Sequence, residues 1–191
     1  MLDFIMLVNR QGKVRMVRWY HPDLSLPLRN RLISELPTAV ITRARSKRSL
    51  CNFFEYSIGP LGFQLAYKRY ASLFFVFAMH SSAVGSSVST MSPPSQAQPQ
   101  PSSLSHDPLL AMEWIHRLVE VLDAYFGSVC ELDLVFAFHK TAHIIDEMWC
   151  GGALVEVSIE KIVSAVKEAD RVEKEEKEEA IRAMTPTMNL Y

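Results

Sequence analysis

Residues 114–136, WIHRLVEVLDAYFGSVCELDLVF, decide how the rest of the chain is read. Ile115, Leu118, Val119, Leu122 and Phe126 recur at i, i+3, i+4, i+7 and i+11, the spacing that stacks apolar side chains on one face of a helix. His116, Arg117, Glu120 and Asp123 occupy the other side. Gly127 then supplies a residue free to turn left-handed after a last helical turn. Ser128, with Glu131 three places on, has the pattern of a capping box for a second helix that carries Leu132, Val135 and Phe136. Two helices meeting at a tight elbow leave a notch lined by both. That notch is the candidate site.

Working outward, the 191 residues allow one domain, or one domain with a tail. With 49% of the chain hydrophobic, a sizeable core can form, and a formal net charge of −1 lacks the basic excess of nucleic-acid binders. Cys51, Cys130 and Cys150 are odd in number and share no CxxC or zinc-finger spacing, so reduced cytosolic thiols are expected. No stretch approaches the about 20 apolar residues that span a bilayer. The start, MLDFIMLVN, is apolar, but Asp3 stands where a signal peptide wants positive charge and no small-residue cleavage site follows. It reads as the first strand of a cytosolic protein.

Leu2 to Val8 is apolar on both alternating sets, as in a strand covered on both faces. Arg10-Gln11-Gly12 makes a hairpin turn, and the return strand runs from Lys13 to Tyr20. Alternation sends Val14 and Met16 one way and Lys13, Arg15 and Val17 the other, so Arg15 projects from a half-exposed face. A helix is expected near Leu28–Leu36, stopped by Pro37, with a short strand at Val40–Thr42 and a basic loop of Arg43, Arg45, Lys47 and Arg48. That loop reads as solvated, or as a contact for acidic lipid headgroups or a partner.

Cys51–Ser57, Phe63–Arg69 and Ser72–Met79 read as strands, with Gly59-Pro60-Leu61-Gly62 as a turn between the first two. The last run, SLFFVFAM, is too apolar for an open face and belongs in the middle of the sheet. Residues 81–108, rich in Ser, Pro and Gln, bury too little to offset their ordering entropy and read as a disordered insertion. A helix or turn covers His139–Met148, Gly151-Gly152 ends it, and Ser158 caps a last helix with Ile159, Ile162, Val163 and Val166 inward. Beyond Asp170 the chain becomes a charged tail. The order implies an α+β domain over residues 1–170, an antiparallel sheet with helices on its faces, followed by a tail at 171–191.

FIMLVNRQGKVRMVRWY, YKRYASLFF and IHRLVEVLDAYFGSVCELDLVF, with DEM at 146–148, resemble the small (sigma) subunits of clathrin-associated adaptor complexes. The resemblance implies a longin-like fold, a five-stranded antiparallel sheet flanked by helices. YKRYASLFF, YFGSVCELD and Gly151-Gly152 are most similar to the Golgi–endosome, type-one sigma subunit. The type-four and plasma-membrane sigma subunits, or a coatomer-zeta-like small coat subunit without cargo binding, are the alternatives. The hairpin at GPLG and the 81–108 insertion are longer than in the family.

The resemblance further implies a role rather than a catalyst. Such subunits join large and medium subunits in a heterotetramer, associate peripherally with the cytoplasmic face of Golgi and endosomal membranes, meet clathrin indirectly, and bind [DE]xxxL[LI] signals on cargo tails. Carried over by motif, Ala71 and Leu73 wall the leucine pockets from the strand side, Val119, Val129 and Leu134 wall them from the helices, and Tyr70 flanks the groove. Arg15 meets the upstream carboxylate. Ser128 stands where the plasma-membrane type has Asn, which removes one side-chain amide from the site. By spacing alone, Val119, Val129 and Leu134 read as core residues closing the sheet, and only the resemblance makes them pocket walls.

Enzyme signals are missing: there is no P-loop, GxSxG or GxGxxG. His139 and His143, with Asp146 or Glu147 nearby, share a helix face without the HExxH glutamate, and no metal or cofactor is expected. Nor is a nucleic-acid partner.

Overall fold

The computed structural model describes residues 1–46, 51–59, 61–80 and 107–184. β1 (Leu2–Asn9) and β2 (Val14–Trp19) form the first hairpin. α1 (Leu26–Arg45) follows, then β3 (Phe53–Ile58), β4 (Leu61–Tyr70) and β5 (Leu73–His80). Beyond the insertion come α2 (Pro108–Phe126), α3 (Glu131–Phe136) and α4 (Phe138–Met148). A small hairpin of β6 (Trp149–Cys150) and β7 (Ala153–Leu154) leads into α5 (Ile159–Met184).

The first five strands make one antiparallel sheet in the order β2-β1-β5-β4-β3. The central pair, β1 and β5, is buried on both faces apart from the terminal His80, as their predominantly apolar sequences require. Strand alternation divides these side chains between two cores. Phe4, Met6, Val8, Phe74, Val76 and Ala78 face α1, whose Leu32, Leu36, Val40 and Ile41 cover them. Ile5, Leu7, Leu73, Phe75, Phe77 and Met79 face α2, α4 and α5, through residues such as Ile115, Leu118, Leu122, Ile145 and Ile162. The chain is therefore three layers, α/β/α, with an α+β connectivity.

Several sequence expectations change. The helix near Leu28–Leu36 runs on through Pro37 to Arg45, so Val40–Thr42 is helical and not a strand. An interior proline costs about 3 kcal/mol, but stopping there would strip Val40 and Ile41 from the core, at about 1.5–3 kcal/mol each. Burial wins. Leu61 and Gly62 are strand residues paired with Ile58 and Ser57, so the β3–β4 turn is tighter than the GPLG sequence implies. In β2, the register jumps from Leu7↔Met16 to Val8↔Val14, leaving Arg15 as the extra residue of a β-bulge. Val14 and Met16 consequently face opposite cores, against simple alternation.

The elbow also differs in detail. α3 is capped at Cys130, whose N–H donates to Asp133 Oδ2 at 2.8 Å, and not by Ser128 with Glu131. Within α3, Leu134 is the buried residue, while Leu132 and Phe136 point outward with 62% and 78% of their surface exposed. The charged stretch beyond Asp170 continues α5 to Met184, laced by pairs such as Arg171–Glu175 and tied to the body by Lys140, which bonds Asp170 and Glu173. The expected insertion falls almost wholly outside the described residues, as do Lys47 and Arg48 of the basic segment and the last seven residues of the tail. No helix of the described residues is long and apolar enough to cross a membrane.

Candidate functional site

Four segments supply the expected site residues: the β2 bulge, the β4–β5 turn, the buried face of α2, and the elbow with α3. Tyr70 pairs with Leu73 across the turn, so Ala71 and Ser72 are its two central residues. Ala71 adopts φ 50°, the sole non-glycine with positive φ among the described residues. A left-handed alanine costs about 1–2 kcal/mol. Arg10 holds it there, donating from Nη2 at 2.7 Å and Nε at 3.2 Å to the Ala71 carbonyl, while its own N–H donates to Ser72 O at 3.1 Å.

Tyr70 links this turn to α2. Its hydroxyl meets His116 Nδ1 at 3.1 Å, the two rings lie nearly parallel, and Phe75 closes edge-on from the other side. Leu73, Val119 and Leu134 belong to one core cluster at 1%, 5% and 1% exposure, and Tyr70 and Val129 pack against its edge. These three are a floor, not open walls.

After α2, Gly127 takes φ 84° and donates its N–H to Asp123 O. Asp123 Oδ1 then accepts from Val129 N–H at 2.8 Å, which fixes the elbow and leaves Ser128 exposed. Ala71 and Ser128 are thus surface positions, and Tyr70 and Val129 are intermediate.

Arg15 is engaged. The bulge turns it toward the helices, where Nε donates to Glu131 Oε1 at 3.0 Å and Nη2 forms a close ion pair with the same oxygen. Asn9, buried at the end of β1, donates from Nδ2 to Glu131 Oε1 at 2.9 Å and accepts at Oδ1 from the N–H groups of Gln11 and Lys13. The Asn9 bond first, then the Arg15 bond, hold the Glu131 carboxyl below the usual carboxylate range. Asn9 is not singled out in the sequence, and Glu131 is read there only as a capping-box partner of Ser128. Asn9 carries a turn-residue signal, but its partner lies 122 positions away.

His139 and His143 do not converge on a ligand set: His143 pairs with Glu147 at 3.3 Å and His139 stands edge-on to Phe138. Asp3, His21 and His80 offer ligand atoms within 4.8 Å of one another, but Asp3 and His80 lie 3.8 Å apart as an ordinary carboxylate–imidazole pair. The three cysteines form no disulfide with one another.

The five-stranded antiparallel sheet, with one helix on one face and the helical elbow on the other, is the longin-like arrangement expected of an adaptor small chain. The family model for the clathrin adaptor complex small chain matches residues 1–90 and 102–173. The AP-1 complex subunit sigma-1 of Arabidopsis thaliana is 37% identical over 180 residues, 94% of this chain and 92% of its own. The AP-1 complex subunit sigma-1A of Homo sapiens is 34% identical over 190 residues, 100% of this chain and 99% of its own. A chain of a homology model of the full-length AP-3 complex, in a stretched open conformation, superposes with a TM-score of 0.61 at 20% identity, over 94% of this chain and 99% of that one. The last shows the fold. This chain belongs to the clathrin adaptor complex small-chain family, whose members serve vesicle coats in protein transport.

Proposed function

We propose that the chain is the small subunit of a heterotetrameric, type-one-like clathrin adaptor at Golgi and endosomal membranes, and that its elbow notch reads acidic dileucine signals. The cargo role is supported by Tyr70 and Val129 packing at the edge of the core that holds Leu73, Val119 and Leu134, by the strained Ala71 beside Tyr70, and by Arg15 bonded to Glu131 at the start of α3. Strain retained at a surface turn is characteristic of positions kept for what they present. The leucine pair seats over Tyr70, Ala71 and Val129 and draws on Leu73, Val119 and Leu134 as the elbow gives way. The upstream carboxylate displaces Glu131 from Arg15, exchanging one ion pair for another.

Two leucines buried contribute about 1.5–3 kcal/mol each, against the cost of ordering a flexible tail. The net is roughly micromolar binding, strengthened in a coat by many simultaneous contacts. Leu132, Phe136 and Phe138, all exposed and apolar, support a partner subunit covering α3 and the start of α4.

A second reading, a structural small subunit that reads no cargo, is favoured by the near-complete burial of Leu73, Val119 and Leu134 and by the occupied Arg15. The assembled complex separates the two on an immobilised ExxxLL peptide. Arg15→Ala and Val129→Asp, at partly exposed positions, should abolish capture while the complex still assembles; Val119→Asp, in the core, reports folding as well. Undiminished capture by the first two variants leaves only the structural reading. Mass spectrometry of the co-purifying large subunit identifies the adaptor type.

A further inference from the structure

On the sheet face opposite the notch, α1 ends over a half-enclosed cavity of about 490 Å³. Its walls bring cations from three directions: Arg43 and Arg45 from the last turn of α1, Arg10 from the β1–β2 turn, and Arg69 from β4. No carboxylate among the described residues lines it. Among the described residues none of these four forms an ion pair, whereas Arg171, Lys174 and Lys177 on α5 each face a glutamate.

Like charges gathered without a counter-charge repel one another, and here they are held in place by the fold. Arg43 donates to Phe53 O at 3.3 Å and lies over the Phe54 ring, with its Nε buried and unbonded. Arg10 is fixed on the Ala71 carbonyl, while Lys68 turns to the other sheet face and lies over the Tyr70 ring. Arg45 and Arg69 are exposed at the rim. The folded chain therefore presents preorganised guanidinium forks, the geometry that grips phosphate through paired charge-assisted hydrogen bonds.

We propose that this pocket binds a compact, multiply phosphorylated polyol of the inositol-phosphate class. The volume lies in the range of small-molecule sites. Charges on three sides match phosphates distributed around a ring, whereas an extended acidic peptide needs them along a groove. Tyr67 and Phe74, at 4% and 5% exposure, offer no open aromatic face on which a nucleotide base could stack. The ligand reaches the pocket either free in solution or as a lipid headgroup, and the same cations serve both.

The test titrates the full-length chain with inositol hexakisphosphate by calorimetry, and with vesicles carrying phosphatidylinositol 4,5-bisphosphate against charge-matched phosphatidylserine vesicles. Arg45→Glu with Arg69→Glu, both at exposed positions, should weaken binding at least about tenfold for a pair of charge-assisted bonds removed. Lys174→Glu with Lys177→Glu makes the same change in net charge on the tail and should leave binding unchanged. Binding to both probes assigns a ligand that membranes can display; binding to the soluble probe alone assigns a free inositol phosphate. Either supports the pocket. Equal loss in the tail variant, displacement by hexaglutamate as effective as by the inositol phosphate, or binding of neither probe overturns it. Because the cargo notch is on the other sheet face, peptide capture is unaffected by the rim variants, and the two proposals fail separately.

Discussion

Gly152→Ala tests how the helical layer is fastened to the sheet. Gly152 closes the β6–β7 hairpin at φ +82°, and its carbonyl accepts the Leu2 N–H at 2.8 Å, so the hairpin is bonded to the first residue of β1. A methyl group built there would stand 2.2 Å from the Leu2 carbonyl oxygen and 3.2 Å from Tyr20 Cβ. Backbone cannot step aside as a side-chain tip does. Left-handed strain costs about 1–2 kcal/mol, forced displacement about 1–3 kcal/mol, and loss of the Leu2 bond about 1 kcal/mol. Together these predict a loss of about 3–6 kcal/mol, which in a chain of this size lowers the melting temperature by several degrees per kcal/mol. Gly127→Ala is the internal control: φ is +84°, but nothing lies within 4 Å of the added carbon, so only the strain of about 1–2 kcal/mol applies. Urea unfolding at constant m measures both. Equal losses in the two variants would refute the argument that close approach, and not backbone handedness, demands glycine at Gly152.

Ala71→Gly should relieve left-handed strain of about 1–2 kcal/mol against an unfolded-state entropy cost of about 0.4–1 kcal/mol, for a small net gain visible as a raised melting temperature; a fall would contradict the turn conformation. Glu131, held below its ordinary range by Asn9 and Arg15, contributes stability that is present above its unfolded value of about 4.3 and is lost as pH falls through the lower folded value. A carboxyl-carbon NMR titration should place its midpoint below that of an unbonded glutamate. Saturating ExxxLL peptide should move the midpoint back up as Arg15 turns to the cargo carboxylate; an unmoved midpoint excludes the exchange.

Much of this architecture is legible from local pattern. The double-sided apolar runs of β1 and β5 announce central strands, and the i, i+3, i+4 stripe from Ile115 to Phe126 announces α2, because burial there is set by period alone. Pro37 misleads because a local rule meets a larger tertiary gain in Val40 and Ile41. The capping signal at Ser128 misleads because Asp123 and Asp133 compete successfully for the elbow's N–H groups.

The sheet, the helical face that covers it and the kinship with adaptor small chains follow from local pattern, since each rests on periodicity or on contiguous motifs. The placement of charge is instead a property of the folded chain. A single bulge residue turned Arg15 onto Glu131, distant in the chain, and the folding of three segments brought Arg10, Arg43 and Arg69 to one cavity. Backbone register and long-range approach carry no local signature, so no window of sequence contains them.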